Sequence, residues 1–344
     1  MPRLAIIGLG LIGGSLGLAL KRAKLEDLEI VGFDPQWGVA GRARKLGAID
    51  RQARRAASAV EDAAVVIIAT PISQVAAVLE EIAPALGAGT VVTDTASTKR
   101  EVVRWAGELL PDEVAFVGGH PIAGKEQAGL AAADAELFQG RAWALTPSAR
   151  APEGAIKTVE SLVTLVGARP VFIDAEEHDS YLAAVSHLPL VLSMALFSVA
   201  SGSQAWPELA ELAGPGFRDA TRLASSSPDL SHDICLTNRE NLLHWLDRFG
   251  EELRRFRDLI EHGEDREELY KTLLKVQADR DAFLSAPPSR PGSAQGADVD
   301  ILSAGERMLS LMLGEYLVRR GKEVERLLAR RASDEASRRR REGR

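Results

Sequence analysis

The feature that most constrains the fold lies at the start of the chain. An apolar strand, Leu4 to Ile7, runs directly into Gly8-Leu9-Gly10-Leu11-Ile12-Gly13, and a helical pattern follows from Leu11 to Arg22. A lone G-x-G-x-x-G is common, but one wedged between strand and helix has a mechanical reason to exist. The first glycine makes a tight turn, the second lets a pyrophosphate approach the backbone, and the third lets helix and strand pack closely. The helix N-terminus then offers free N–H groups to the phosphates. The second strand, Glu29 to Phe33, ends in Asp34, at the roughly 20-residue spacing where a carboxylate accepts hydrogen bonds from a ribose 2′-hydroxyl. A 2′-phosphate would be repelled there, and Pro35, Gln36 and Trp37 supply no arginine, so NAD is expected rather than NADP. The alternative is that Asp34 only closes a turn or caps a helix.

Further strands read at Val65 to Ala69, Thr90 to Asp94, Val114 to Val117, Ala142 to Leu145 and Pro170 to Ile173, with helical stretches near 38–47, 73–85, 98–110 and 152–166. Such alternation predicts an α/β, Rossmann-type doubly wound, mostly parallel sheet over residues 1–174. Beyond it the pattern is helical, predicting an all-α dimerisation domain over 175–285. His178 to Ala200 is apolar on nearly every side, so it should be wrapped by other helices or by a second subunit. Its content of Ser186, His187, Pro189, Ser193 and Ser198 argues against a membrane span. Longer helices read at His232 to His262 and Asp265 to Leu284. The Pro, Gly and Ser content of 286–298 reads as a flexible linker, and 299–344 as a last helix with a basic tail.

With 344 residues the chain has room for two cores, and a net charge of −7 argues against a general nucleic-acid partner. Cys235 is the one cysteine, which excludes an internal disulfide and a cysteine metal cluster. No signal-peptide pattern opens the chain, so a cytoplasmic setting is expected, and no metal.

The strand ends collect the chemistry-bearing residues. Thr70-Pro71 closes one strand and Asp94-Thr95-Ala96-Ser97-Thr98-Lys99 the next, both facing the cofactor crevice. Ser97 is equally a candidate N-cap for the helix beginning near Thr98. Val117-Gly-Gly-His120-Pro-Ile-Ala-Gly124 reads as a strand ending in a flexible loop. Its glycines would allow close ligand approach, and Pro121 would hold His120 on a stiffened turn. His120 is thus a candidate base, or a histidine that only bonds its own loop.

The combination Gly-Leu-Gly-Leu-Ile-Gly-Gly-Ser, Thr-Asp-Thr-Ala-Ser-Thr-Lys and Gly-Gly-His-Pro-Ile-Ala-Gly resembles the prephenate/arogenate dehydrogenases of tyrosine biosynthesis, over roughly residues 3–285. Ser186-His187-Leu188-Pro189 and Gly216-Phe217-Arg218-Asp219-Ala220-Thr221-Arg222 are similar to two further motifs of that family. The resemblance implies oxidative decarboxylation of a cyclohexadienol by NAD, in a homodimer, with prephenate or arogenate as the small-molecule substrate. It implies that His120 accepts the hydrogen of the ring hydroxyl, that Ser97 assists it, and that Arg222 grips a carboxylate. His187 and Ser186 would add polar contacts, and Glu126 would gate the cleft or tune its charge. A core histidine at 187 and a plain surface glutamate at 126 stay open. The cofactor set is Gly8, Gly10, Leu11, Ile12, Gly13, Asp34, Thr70 and Pro71. Many family members carry a second histidine after the proline of the Ser-His-Leu-Pro motif, where this chain has Leu190. That leaves prephenate, arogenate and dual specificity as alternatives. Two other readings are a β-hydroxyacid-type dehydrogenase, which needs a catalytic lysine on a helix, and a non-catalytic NAD-binding module.

Overall fold

The computed structural model describes residues 2–24, 28–125, 127–262 and 266–286. Glu126, the linker from 287 onward, and the final helix and tail lie outside the described residues.

The first half is β1 (Arg3–Ile7), α1 (Leu11–Arg22), β2 (Glu29–Phe33), α2 (Val39–Leu46), β3 (Arg51–Gln52), α3 (Ala56–Val60), β4 (Ala63–Ile68), α4 (Ile72–Ile82), β5 (Val91–Asp94), α5 (Arg100–Leu109), β6 (Ala115–Pro121), β7 (Ala142–Pro147), α6 (Glu153–Leu165) and β8 (Arg169–Phe172). They form one eight-stranded sheet in the order β3-β2-β1-β4-β5-β6-β7-β8. Every pairing is parallel except β6 with β7. This is the predicted doubly wound sheet. The very short β3 and α3 escaped the sequence reading because neither is long enough to show a period.

Alternation along the central strands divides the core into two layers. Leu4, Ile6, Ile30, Val65 and Ile67 pack with Leu16 and Leu20 of α1 and Val159, Leu162 and Val163 of α6. Ala5, Ile7, Val31, Val66 and Ile68 pack on the other face with Ala56 and Ala59 of α3, Ile72, Val75 and Leu79 of α4, and Val102 of α5. β4, Ala-Ala-Val-Val-Ile-Ile, is buried at all its positions, as a central parallel strand covered on both faces must be.

The second half is α7 (Ala175–Leu182), a π-helical turn (Ala183–His187), α8 (Leu188–Ser201), α9 (Trp206–Glu211), α10 (Pro215–Ala220), α11 (Pro228–Thr237), α12 (Arg239–Glu261) and α13 (Arg266–Ser285). The predicted helix 232–262 is in fact two, broken at Asn238. That side chain donates to the Asp179 carbonyl at 2.7 Å and meets His187 Nδ1 at 3.0 Å, and its backbone leaves the helical region.

The apolar stretch Ala175–Ser201 is long and apolar enough to cross a membrane by length and composition, and only 28% of its most apolar window is buried. Val185 and Val199 are 74% and 78% exposed. Among the described residues, other helices leave much of this stretch uncovered.

Candidate active site

β6 does not end at Val117 as the sequence suggested. It continues through His120 to Pro121, because β7 runs back antiparallel beside it and pairs His120 with Ala144. His120 is therefore held on a sheet rather than on a loop. Gly118 and Gly119 are not turn residues and neither has positive φ. A Cβ at Gly118 would collide with Thr146 Oγ1, and one at Gly119 with the Asp94 carbonyl and Trp143 Nε1. Close packing inside the sheet, not access for a ligand, is what these glycines provide.

The β5–α5 turn is stitched to β6 next to this histidine. Asp94 Oδ1 accepts from Gly119 N at 3.0 Å, and Oδ2 accepts from Ala96 N at 2.8 Å and from Lys99 Nζ. Lys99 Nζ also donates to the Gly119 carbonyl at 2.8 Å. Both side chains are fully buried. Burial pushes the Lys99 ammonium below its ordinary range, opposed by the charge of Asp94. Lys99 is thus the buried lysine at a helix start that the sequence reading did not locate, although it stands in a quoted motif. Its ammonium is committed to Asp94 and Gly119, and it does not line the cleft, so it does not act as the lysine of a β-hydroxyacid dehydrogenase.

His120 is 9% exposed and its Nδ1 lies 2.9 Å from His178 Nε2. His178 Nδ1 lies 2.8 Å from Asp179 Oδ1, and both residues are buried. Burial, then the neighbouring His178, Lys99 and His187, holds the His120 imidazole well below the usual histidine range, so the ring is neutral near pH 7. His178 and Asp179 were missed as site residues. They open an apolar helix with no motif, and the only signal in the sequence was two adjacent titratable groups at its start.

A cleft of about 350 Å³ brings these parts together. Gly10, Leu11, Ile12, Thr70 and Pro71 line one side, Ser97 and His120 another, and Ser226, Ser227 and Leu230 of the helical half close it. The cofactor-side residues fit a dinucleotide. Gly8, at φ +91°, makes the turn, and a Cβ at Gly13 would run into the Gly8 carbonyl. One at Gly10 would meet nothing within 4 Å, and α1 has no side-chain cap at its N-terminus. Thr70 Oγ1 is buried there without a hydrogen-bond partner. Asp34 Oδ2 accepts from Leu9 N at 2.8 Å and Oδ1 from Gln36 N at 2.9 Å, so it braces the glycine turn.

Other predicted residues sit elsewhere. Ser97 is not a helix cap, since α5 begins at Arg100 and Asp179 accepts from Lys99 N at 2.7 Å and Arg100 N at 2.9 Å. His187 is 1% exposed on the π turn and does not line the cleft. Its Nδ1 meets Asn238, and its buried Nε2 lacks a hydrogen-bond partner. Burial lowers its pKa to about 4, against the charge of Asp179 and the nearby Ser97 backbone, which favour the charged ring. The core-histidine reading is the one this geometry matches. Ser186 is half-buried and also outside the cleft lining. Arg222 is exposed, on the turn just before Ser226 and Ser227.

An uncapped helix start on one wall and a neutral imidazole on the other suit a dinucleotide-dependent dehydrogenase, which needs a phosphate cradle and a hydrogen acceptor at one substrate. Comparison with known proteins narrows this class. The prephenate dehydrogenase nucleotide-binding domain model matches residues 16–172 and the prephenate dehydrogenase dimerization domain model matches 174–275. The prephenate dehydrogenase of Bacillus subtilis (strain 168) is 38% identical over 280 residues, 81% of this chain and 75% of that protein. The cyclohexadienyl dehydrogenase of Zymomonas mobilis is 35% identical, covering 81% of this chain and 97% of that one. Among solved structures, prephenate dehydrogenase from A. aeolicus with hydroxyphenyl propionate and NAD+ has a TM-score of 0.77 at 30% identity, over 82% of this chain and 98% of that one. Synechocystis arogenate dehydrogenase has a TM-score of 0.70 at 28% identity, over 82% and 99%. The chain belongs to the prephenate dehydrogenase family.

Proposed function

We propose that this protein catalyses the NAD-dependent oxidative decarboxylation of prephenate to 4-hydroxyphenylpyruvate, in the cytoplasm and as a homodimer. The observation that carries the reading is one cleft lined both by the glycine turn and by the neutral His120. Gly10, Leu11, Ile12, Thr70 and Pro71 would hold the cofactor, with Asp34 toward the ribose, and NAD supplies the hydride acceptor.

The chain's own part is to orient the ring and manage its charge. His120 accepts the hydrogen of the ring hydroxyl, which a neutral imidazole does and an imidazolium cannot. Ser97, on the same wall, contacts that hydroxyl or steadies the ring. Loss of carbon dioxide from the opposite ring carbon makes the product aromatic, which drives the reaction. Arg222, next to the Ser226–Ser227 wall, anchors a substrate carboxylate with its planar guanidinium. His187 acts from behind Ser97 rather than by touching the substrate. The exposed apolar face with Val185 and Val199 is assigned to the second copy of the chain, in keeping with the dimerization model that matches this half.

NADH formation with purified protein, NAD and either prephenate or arogenate tests the reading. Prephenate turnover is expected, and His120→Asn should lower it by about 100-fold or more while NAD still binds. Near-normal turnover in that variant would remove His120 from the chemistry, and turnover of arogenate alone would reassign the substrate.

A further inference from the structure

His178 and Asp179 have no part in the function described so far. We infer that they form a positioning pair that decides which ring nitrogen of His120 faces the cleft. This rests on His120 being the group that meets the substrate hydroxyl.

The chain of donors has one direction. Asp179 is buried and accepts from Lys99 N and from His178 Nδ1 through Oδ1, and from Arg100 N through Oδ2. Both Asp179 oxygens already accept from backbone N–H groups, and the hydrogen shared with His178 is assigned to His178 Nδ1. The pair as inferred keeps a single ring hydrogen on His178, at Nδ1, which makes Nε2 the acceptor. It lies 2.9 Å from His120 Nδ1, so the hydrogen between the two rings belongs to His120. A neutral imidazole carries one ring hydrogen. His120 Nε2 therefore holds a bare lone pair, and it has no hydrogen-bond partner among the described residues.

That nitrogen belongs to a residue lining the cleft. The opposite tautomer would present an N–H to the substrate hydroxyl and could not take its hydrogen. The backbone donors of α5 hold Asp179 in place, so the setting of the His120 ring is anchored in a helix N-terminus of the sheet domain. The two rings meet edge to face with centroids 5.1 Å apart, which fixes the orientation as well as the tautomer.

The test separates tautomer control from simple packing. In protein labelled with 15N-histidine, His120 should give ring-nitrogen shifts of the Nδ1–H form, assigned by their loss in His120→Asn. His178→Gln places a carbonyl oxygen where Nε2 sits and should keep turnover within about tenfold. His178→Leu fills the space without an acceptor and should lose about 100-fold or more in kcat, as wrong-tautomer histidines do, with KM values little changed. A wild-type Nε2–H signal, or full kcat in His178→Leu, would overturn the inference. If His178→Leu does not fold, the wild-type spectrum alone decides. A fully active His120→Asn would defeat the catalytic reading instead, while the spectrum would still report on the pair.

Discussion

Two kinds of helix start meet at the cleft, and they are finished differently. α1 begins at Gly10 with no side-chain cap, its N–H groups open to the cleft. α4 and α5 also lack caps of their own, yet each receives a carboxylate from the helical half. Asp233 of α11 accepts from Ser73 N at 2.9 Å, and Asp179 of α7 accepts from Lys99 N and Arg100 N. A helix N-terminus favours negative charge whatever supplies it. The chain has satisfied two of these ends itself and kept the third for a phosphate. The second domain thus does more than cover the sheet: it decides which helix start remains available.

The largest test of this contrast is Asp179→Ala. It strips the acceptor from the Lys99 and Arg100 backbone N–H groups and from His178, and should destabilise the fold by about 3 kcal/mol or more, at roughly 1–3 kcal/mol for each of the three orphaned groups. Denaturant titration would read it, and a loss under about 1 kcal/mol would show that the cap is ornamental. Gly10→Asp inverts the experiment. Gly10 has ordinary extended backbone and open space at its Cβ, so the carboxylate fits and would close α1 as the others are closed. Thermal stability should hold while NAD affinity, read by calorimetry, falls by about 100-fold from repulsion and blocked donors.

Asp233→Ala should cost less, about 1 kcal/mol, since one N–H loses its acceptor near the surface of the joint. The smallest effect is on pH dependence. Burial lowers the pKa of His187 to about 4, whereas an unfolded histidine titrates near 6.5. Between those values the unfolded chain binds a proton that the folded chain refuses. Stability is therefore full above pH 6.5 and falls as pH drops toward 4. His120 contributes in the same direction. His187→Asn should flatten this slope in urea titrations across that range; an unchanged slope would mean that other groups carry it.

What was legible in the sequence follows the range of the interactions involved. β1, the glycine turn, α1 and β2 were placed within a residue because their signals are local: an apolar run, fixed glycine spacing, an aspartate at a strand end. His120 was found, but its setting was not. That β6 runs on to Pro121 depends on β7, a partner with Gln127, Phe138 and much else between. Gly118 and Gly119 looked like a loop, and only their contacts with Thr146, Asp94 and Trp143 show why a strand needs them. The division of α11 from α12 depends on Asn238 bonding Asp179 and His187, which lie far away in sequence. His178 and Asp179 were invisible for the same reason: their meaning lies entirely in what they touch.

With the roles proposed for His120, His178 and Asp179, the shared use of Asp179 ties catalysis to the order in which the molecule is completed. A growing polypeptide that has emerged only as far as β8 already owns its glycine turn and His120. It does not yet own the neighbour that sets the imidazole, nor the wall made by Ser226 and Ser227. On those proposed roles such an intermediate would be inactive until the later helices dock.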